Sequence, residues 1–228
     1  MTSENPWFMP FEPSMKIENL DLTARVFRHI RDDITAGKYP QGTALQLPQL
    51  SRQLGVSQTP IREALLRLAE KEYLEKTASR SYVIRSITKQ QFFRLSEVRA
   101  DVETKIIGQM IDEATPFDIE AMSHIYDMQS EALLSGDYEQ SLILNREFHG
   151  HYLKLSNIPQ VSEFVENICV IVGPLLHGLK ENRISKEKDQ HFHSQILDAI
   201  RRNDRNSATK AMYDDVMVNA ERICSMMH

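Results

Sequence analysis

Residues 47 to 68, LPQLSRQLGVSQTPIREALLRL, decide the fold. They read as two short helices joined by a tight turn. Leu50 and Leu54 give the first helix an apolar edge. Gly55 supplies the left-handed residue that ends a helix, and Val56 turns back toward the core. Ser57 is placed to cap the next helix, and Pro60 in its first turn removes a backbone N–H that has no helical partner there. Ile61, Ala64, Leu65 and Leu68 then recur at i, i+3, i+4 and i+7, which makes one apolar face. Gln58, Thr59, Arg62 and Arg67 lie off that face. Polar and basic residues at the start of the second helix complete a helix-turn-helix pattern, which presents that helix to a DNA major groove.

Upstream, Thr23 is expected to cap a helix running to Ala36, with Val26, Ile30 and Ile34 as its apolar stripe and Gly37 at its end. Tyr39-Pro40 and Gln41-Gly42 form a turn, and Leu45 and Leu47 lead into the helix-turn-helix. Downstream, KEYLEKTASRSYVIRSI sets strand-forming Tyr73 and Leu74 against Tyr82, Val83 and Ile84, with TASRS between them. This predicts a β-hairpin wing with Arg80 near its tip, in preference to a plain connecting loop. Residues 1–18 are read as a tail, 19–87 as a winged helix-turn-helix domain, and 88–228 as a second domain.

From Thr88 onward the pattern is helical, in about six segments: 90–113, 115–136, 138–155, 160–180, 186–203 and 206–227. The first carries Phe93, Val98, Ile106 and Ile107. Thr115-Pro116 opens the second, and Gly173-Pro174 interrupts the fourth. The fold class is therefore mainly α: a winged helix-turn-helix followed by an all-α bundle.

Charge separates the two parts. The chain carries −5 overall, which by itself argues against nucleic acid. Residues 15–88, however, hold 12 Lys and Arg against 8 Asp and Glu, while residues 89–228 hold 15 against 22. The basic part contains the helix-turn-helix, as phosphate contact requires. The two cysteines, Cys169 and Cys224, form no CxxC pair and suit a reducing compartment. The proline-interrupted start is not a signal peptide, and the longest apolar run, ICVIVGPLL, is too short to span a bilayer. A cytoplasmic protein with no membrane partner is expected.

These residues resemble a known family. The segment from Thr23 to Ile84, with PQGTAL, LSRQLGVSQTPIREALLRL and the hairpin, resembles the winged helix-turn-helix of GntR transcriptional regulators. The helical remainder is similar to the FCD ligand-binding domain of the FadR subgroup, through LSEVRADVE (95–103), NREFH (145–149), HSQILDAI (193–200) and ATKAMYDD (208–215). The resemblance implies a bacterial homodimer that binds a pseudo-palindromic double-stranded operator as a repressor or activator and answers to a small-molecule effector. It implies DNA contacts from Ser57, Gln58, Thr59, Arg62, Arg67 and Arg80. Two places depart from the family pattern. Ser79 and Ser81 stand where the wing usually has glycines, and Gln58 stands where arginine is common. Glutamine pairs with adenine and arginine with guanine, so a different operator is expected.

Within the helical part, Asn145 and His149 are four apart and share a helix face. On spacing alone the better reading is ordinary polar residues lining a bundle, since an Asn/His pair one turn apart on a helix is common. The resemblance implies a metal site at Asn145, His149, His193 and Asp215, with Asp215 replacing the family's usual histidine. Two imidazoles with oxygen ligands suit Zn²⁺, Ni²⁺ or Mn²⁺. His151 and His191, two positions from the candidate ligands, are expected to face away. His177, beside the Gly173-Pro174 kink, is a candidate for the effector cavity. Arg99 is either a second effector contact, holding a carboxylate in its bidentate fork as the resemblance implies, or a surface partner of Glu103 at i+4.

The competing functions are a metal-dependent hydrolase and a DNA-architectural module without an effector. The sequence has no HExxH, no serine nucleophile elbow and no glycine-rich phosphate loop, so the enzyme reading finds no machinery. The size of the acidic helical part favours sensing over architecture.

Overall fold

The computed structural model of the chain describes residues 17–78, 81–176 and 188–227. Helix α1 spans Ile17–Thr35, α2 Leu47–Leu54 and α3 Gln58–Glu70. Three short strands, β1 (Ala44–Leu45), β2 (Leu74–Lys76) and β3 (Tyr82–Ile84), form an antiparallel sheet in the order β1-β3-β2. Then follow α4 (Lys89–Met110), α5 (Pro116–Ser135), α6 (Tyr138–Leu155), α7 (Pro159–Val172), a 3₁₀ turn (Gly173–Leu176), α8 (Lys188–Arg201) and α9 (Arg205–Met226). The fold is mainly helical with a small wing sheet, as expected.

The α2–α3 turn forms as the residues dictate. Gly55 takes φ 65° and its N–H closes the helix onto the Ser51 carbonyl. Ile61, Ala64, Leu65 and Leu68 are fully buried, packed with Val26, Ile30 and Ile34 of α1 and Ile84 of β3. Burial of each large aliphatic side chain contributes about 1.5–3 kcal/mol, so this face fixes how α3 is presented. Leu74 pairs with Ile84 and Lys76 with Tyr82. Thr77 N–H donates to the Ser81 carbonyl at 2.9 Å and closes the hairpin.

Several local expectations are corrected. Thr23 does not cap α1, which begins at Ile17. Thr23 is buried inside that helix and donates through Oγ1 to Glu63 on α3 at 3.0 Å. Ser57 occupies the N-cap of α3 but makes no side-chain cap bond. Leu45 belongs to a short strand, paired with Tyr82, and not to a plain connection. Val98 is 47% exposed, because the buried line of α4 runs instead through Phe92, Ser96, Ala100, Glu103, Ile107 and Met110.

The helical part sits on well-capped helices. Thr88 with Gln91, and Thr115 with Asp118, form reciprocal capping boxes that each satisfy two otherwise unpaired N–H groups. Pro116 opens α5 as expected. Phe148, Tyr152, Ile107, Met122, Ile196 and Met212 fill the core between these helices. Helix α4 packs along α9, α9 along α8, and α5 along α6.

The two parts are stitched together along α7. Val170 is packed into the cluster of α1, α3 and the wing. Tyr73 Oη donates to Asn167 Oδ1. Lys71 meets Glu163 at 2.8 Å, Arg146 meets Asp32 at 3.2 Å, and Arg31 meets Glu166 at 3.8 Å. Gly173 is pressed against the end of α1: a Cβ there would lie 2.4 Å from the Ile34 carbonyl oxygen and 2.7 Å from Thr35 Cα. Backbone atoms cannot give way as a side chain would. Gly173→Ala is expected to destabilise the protein by about 1–3 kcal/mol through overpacking. Equilibrium urea unfolding checks this, and an unchanged midpoint would mean that the junction yields freely.

Candidate functional site

The first candidate surface is the start of α3. Ser57, Gln58, Thr59, Arg62 and Arg67 are all exposed, while Pro60 and Ile61 beside them are buried. At about 100° per residue, Gln58, Thr59 and Arg62 fan over one side of the first turns. Arg67, five residues beyond Arg62, stands about 140° further around the helix, at its flank. The bond from Thr23 holds the Glu63 carboxylate against α1. Arg80 lies outside the described residues.

The second candidate site is in the helical part. His149 on α6, His193 on α8 and Asp215 on α9 are all buried and meet at one point. His149 Nε2 is 3.1 Å from Asp215 Oδ2, His193 Nε2 is 3.7 Å from the same oxygen, and the two Nε2 atoms are 3.4 Å apart. These are the separations of neighbouring ligands around one ion with bonds of about 2.1 Å. Asn145, one turn before His149, lines the same cavity, with its Oδ1 3.5 Å from Gln129 Nε2.

Around this cluster lies a polar network that the sequence reading did not assign. Glu103 is fully buried. Its Oε1 accepts from Arg99 Nε, and its Oε2 accepts from His149 Nδ1 at 2.6 Å and from the Tyr152 hydroxyl. Gln129 Oε1 faces His193 Nδ1 at 2.9 Å, and the Phe148 ring stacks on His193 with centroids 3.9 Å apart. Only the i+4 spacing of Arg99 and Glu103 hinted at this; nothing marked Gln129.

Arg99 does not form the expected surface pair. It pairs with Glu103, but within the protein and not at the surface, and it also lines the cavity. His151 is half-buried, 3.8 Å from Asp118; it does not face fully outward. The His191 side chain and His177 lie outside the described residues.

The electrostatics follow from the pairing. Burial disfavours a charged Glu103, but the neighbouring Arg99 and His149 overcome it and hold its pKa at about 2. Burial disfavours a charged His149, yet Glu103 on one side and Asp215 on the other raise its pKa to about 9. Asp215 is held well below the usual carboxylate range, against its burial, by His193 and His149.

The cavity has a volume of about 520 Å³. His149, Asp215, Arg99 and Arg146 are among its polar lining, and Val165, Ile168 and Ile223 among its apolar lining. Arg31 and Thr35 of α1 also line it. One space thus touches both the buried His/Asp cluster and the helix on which the helix-turn-helix packs.

Comparison with known proteins agrees with this architecture. Residues 22–84 match the model for bacterial regulatory proteins of the gntR family, and residues 94–216 match the FCD domain. The chain is 27% identical to the HTH-type transcriptional regulator McbR of Escherichia coli K12 over 206 residues, 90% of this chain and 93% of that protein. It is 30% identical to the Nta operon transcriptional regulator of Aminobacter aminovorans, over 73% of this chain and 79% of that one. The solved structure of E. coli McbR/YncC superposes with a TM-score of 0.83, at 26% identity, over 89% of this chain and 96% of that chain. A GntR protein from Rhodococcus sp. RHA1 shares the fold, with a TM-score of 0.78 at 19% identity.

The chain is thus a winged helix-turn-helix regulator with a helical FCD domain. It belongs to the GntR family of bacterial transcriptional regulators, in the subgroup that carries an FCD domain. This is a family of DNA-binding proteins and not of enzymes. Among the described residues, no helix is long and apolar enough to cross a membrane.

Proposed function

We propose that the protein is a homodimeric, cytoplasmic repressor whose hold on a pseudo-palindromic operator is set by a small carboxylate bound in the helical cavity. Residues 19–87 form the DNA-reading unit and residues 88–228 the sensing unit. Gln58, Thr59 and Arg62 reach the bases or phosphates of the major groove. Ser57, Arg67 and Arg80 contact the flanking backbone. Two copies are needed because one recognition helix reads too few base pairs for useful specificity.

His149, His193 and Asp215, with Asn145 beside them, would hold a divalent ion: Zn²⁺, Ni²⁺ or Mn²⁺. The donor set fits, since three buried nitrogen and oxygen atoms already lie at ligand spacing. Such an ion supplies a positive charge with open coordination positions toward the cavity. Arg99 on the cavity wall orients the effector, and the apolar lining accepts its carbon skeleton.

The observation that carries this reading is the shared cavity. A molecule placed beside Asp215 and Arg99 fills a space whose wall includes Arg31 and Thr35 of α1. Occupancy can therefore favour one seating of α1 over another, and an effector acts only through such a difference.

The test is operator selection from random duplexes, followed by binding titrations of metal-loaded protein with a panel of small carboxylates. One member of the panel is expected to change operator affinity by roughly 5- to 150-fold, the usual size of such coupling. A panel in which tightly bound carboxylates leave DNA affinity untouched would remove the effector role.

A further inference from the structure

We propose that Glu103 and Gln129 are the positioning residues of the His149–His193–Asp215 cluster, each holding the Nδ1–H of one imidazole so that both rings turn Nε2, the nitrogen that would meet the ion, toward the same point. The inference rests on reading that cluster as a metal site.

The assignment follows from which atoms can donate. Glu103 is clasped by Arg99 through Oε1, so its carboxylate is an acceptor, and Oε2 lies 2.6 Å from His149 Nδ1. That nitrogen must therefore carry the hydrogen. For His193 the partner is an amide, whose two ends have to be told apart. The Nε2 end of Gln129 faces Asn145 Oδ1 at 3.5 Å, so it is the donor end. The Oε1 end then accepts from His193 Nδ1 at 2.9 Å. In both rings the remaining nitrogen, Nε2, is the one that faces Asp215.

Ring orientation is fixed from other directions as well. Phe148 stacks on His193 at an interplanar angle of 13°, which prevents that ring from turning. The Tyr152 hydroxyl lies 3.0 Å from His149 Nδ1 and shares Glu103 with it. Glu103, Gln129, His149 and His193 are all buried. Partners of this kind set the tautomer and the basicity of a ligand imidazole, and their loss costs metal affinity without removing a ligand.

The test uses the full chain with Gln129→Leu, Gln129→Glu or Glu103→Gln. Zn²⁺ and Ni²⁺ affinities are measured by competition with a chromophoric chelator. Long-range ¹H–¹⁵N spectra of the Zn²⁺-loaded, histidine-labelled protein show which ring nitrogen carries the hydrogen. In wild type, both histidines are expected to keep Nδ1–H and to bind through Nε2. Gln129→Leu is expected to weaken metal binding about 10- to 100-fold, and Gln129→Glu, which keeps an acceptor, to restore it. Glu103→Gln is expected to weaken binding on the same scale; where that variant fails to fold, the Gln129 pair decides. A purely structural role for Gln129 would lower thermal stability and leave metal affinity in place.

Equal affinity in folded Gln129→Leu and wild type, or an Nδ1-bound ion, overturns the inference. Wild-type protein that takes up neither ion overturns the metal reading and this inference with it. That result is distinct from failure of the inference alone, in which wild type loads and the variants load equally well.

Discussion

A His149→Ala/His193→Ala protein is expected to bind Zn²⁺ or Ni²⁺ at least about 10³-fold more weakly than wild type. Structural zinc sites with four ligands are worth roughly 10–16 kcal/mol at neutral pH, so each ligand carries about 3 kcal/mol, and about 1.4 kcal/mol is tenfold. The two imidazoles are two of the three donors that meet beside Asp215, and what is left is one carboxylate and a neighbouring amide. Equilibrium dialysis against a defined excess of metal, with metal analysis of both proteins, gives the comparison directly. The variant also takes one partner from the buried Glu103, which keeps Arg99 and Tyr152, and both histidine partners from the buried Asp215, so its fold must be checked by circular dichroism before the dialysis is interpreted. Equal and low metal content in both proteins would show that the convergence is a polar lining and not a metal centre. The cavity reading would survive that result.

The second large effect is on DNA. Arg62→Ala is expected to weaken operator binding by about 1–3 kcal/mol with the fold intact. Arg62 is exposed on α3, between the buried Ile61 and the tethered Glu63, so truncating it opens no core cavity. Arg67→Ala should have a smaller effect, because Arg67 is turned toward the flank of the helix. Fluorescence anisotropy on a selected operator, repeated at several salt concentrations, separates the two possible roles. A phosphate contact lowers the salt slope by about one, whereas a base contact leaves the slope and relaxes sequence preference. Unchanged affinity in a folded Arg62→Ala protein would remove the residue from the interface.

Much of the fold is legible in the sequence because local chemistry and burial agree there. Gly55, Pro60 and the Ile61–Leu68 face agree on one structure, and Thr115-Pro116 supplies both a cap and a proline suited to a first helical turn. The expectations that fail do so where tertiary contacts outvote local signals. Thr23 has the chemistry of a cap, but Glu63 on another helix is its partner. Val98 fits a helical period, yet α4 buries the neighbouring line because α9 lies there. The convergence of His149, His193 and Asp215 was reachable only through family resemblance, since 66 residues separate the first from the last and nothing local joins them. Glu103 read as one half of a surface ion pair. Its burial depends on α4 lying against α6, which no pairwise spacing in the chain reports. Gln129 carries no signal, because an amide at that distance in sequence from His193 is indistinguishable from any other.

Val170 makes the two halves of this regulator poor candidates for free exchange. Its side chain belongs to the helical half by sequence and to the winged half by packing. A chimera that joins this winged half to the sensing half of another family member would need a residue of matching size at that position, or it would carry an open socket beneath α1. The DNA-reading half produced alone would have the same defect, with apolar surface uncovered where α7 now lies, and should be more prone to aggregate than the intact chain. Engineering a sensor from this protein should therefore begin inside the cavity and leave the seam between the halves untouched.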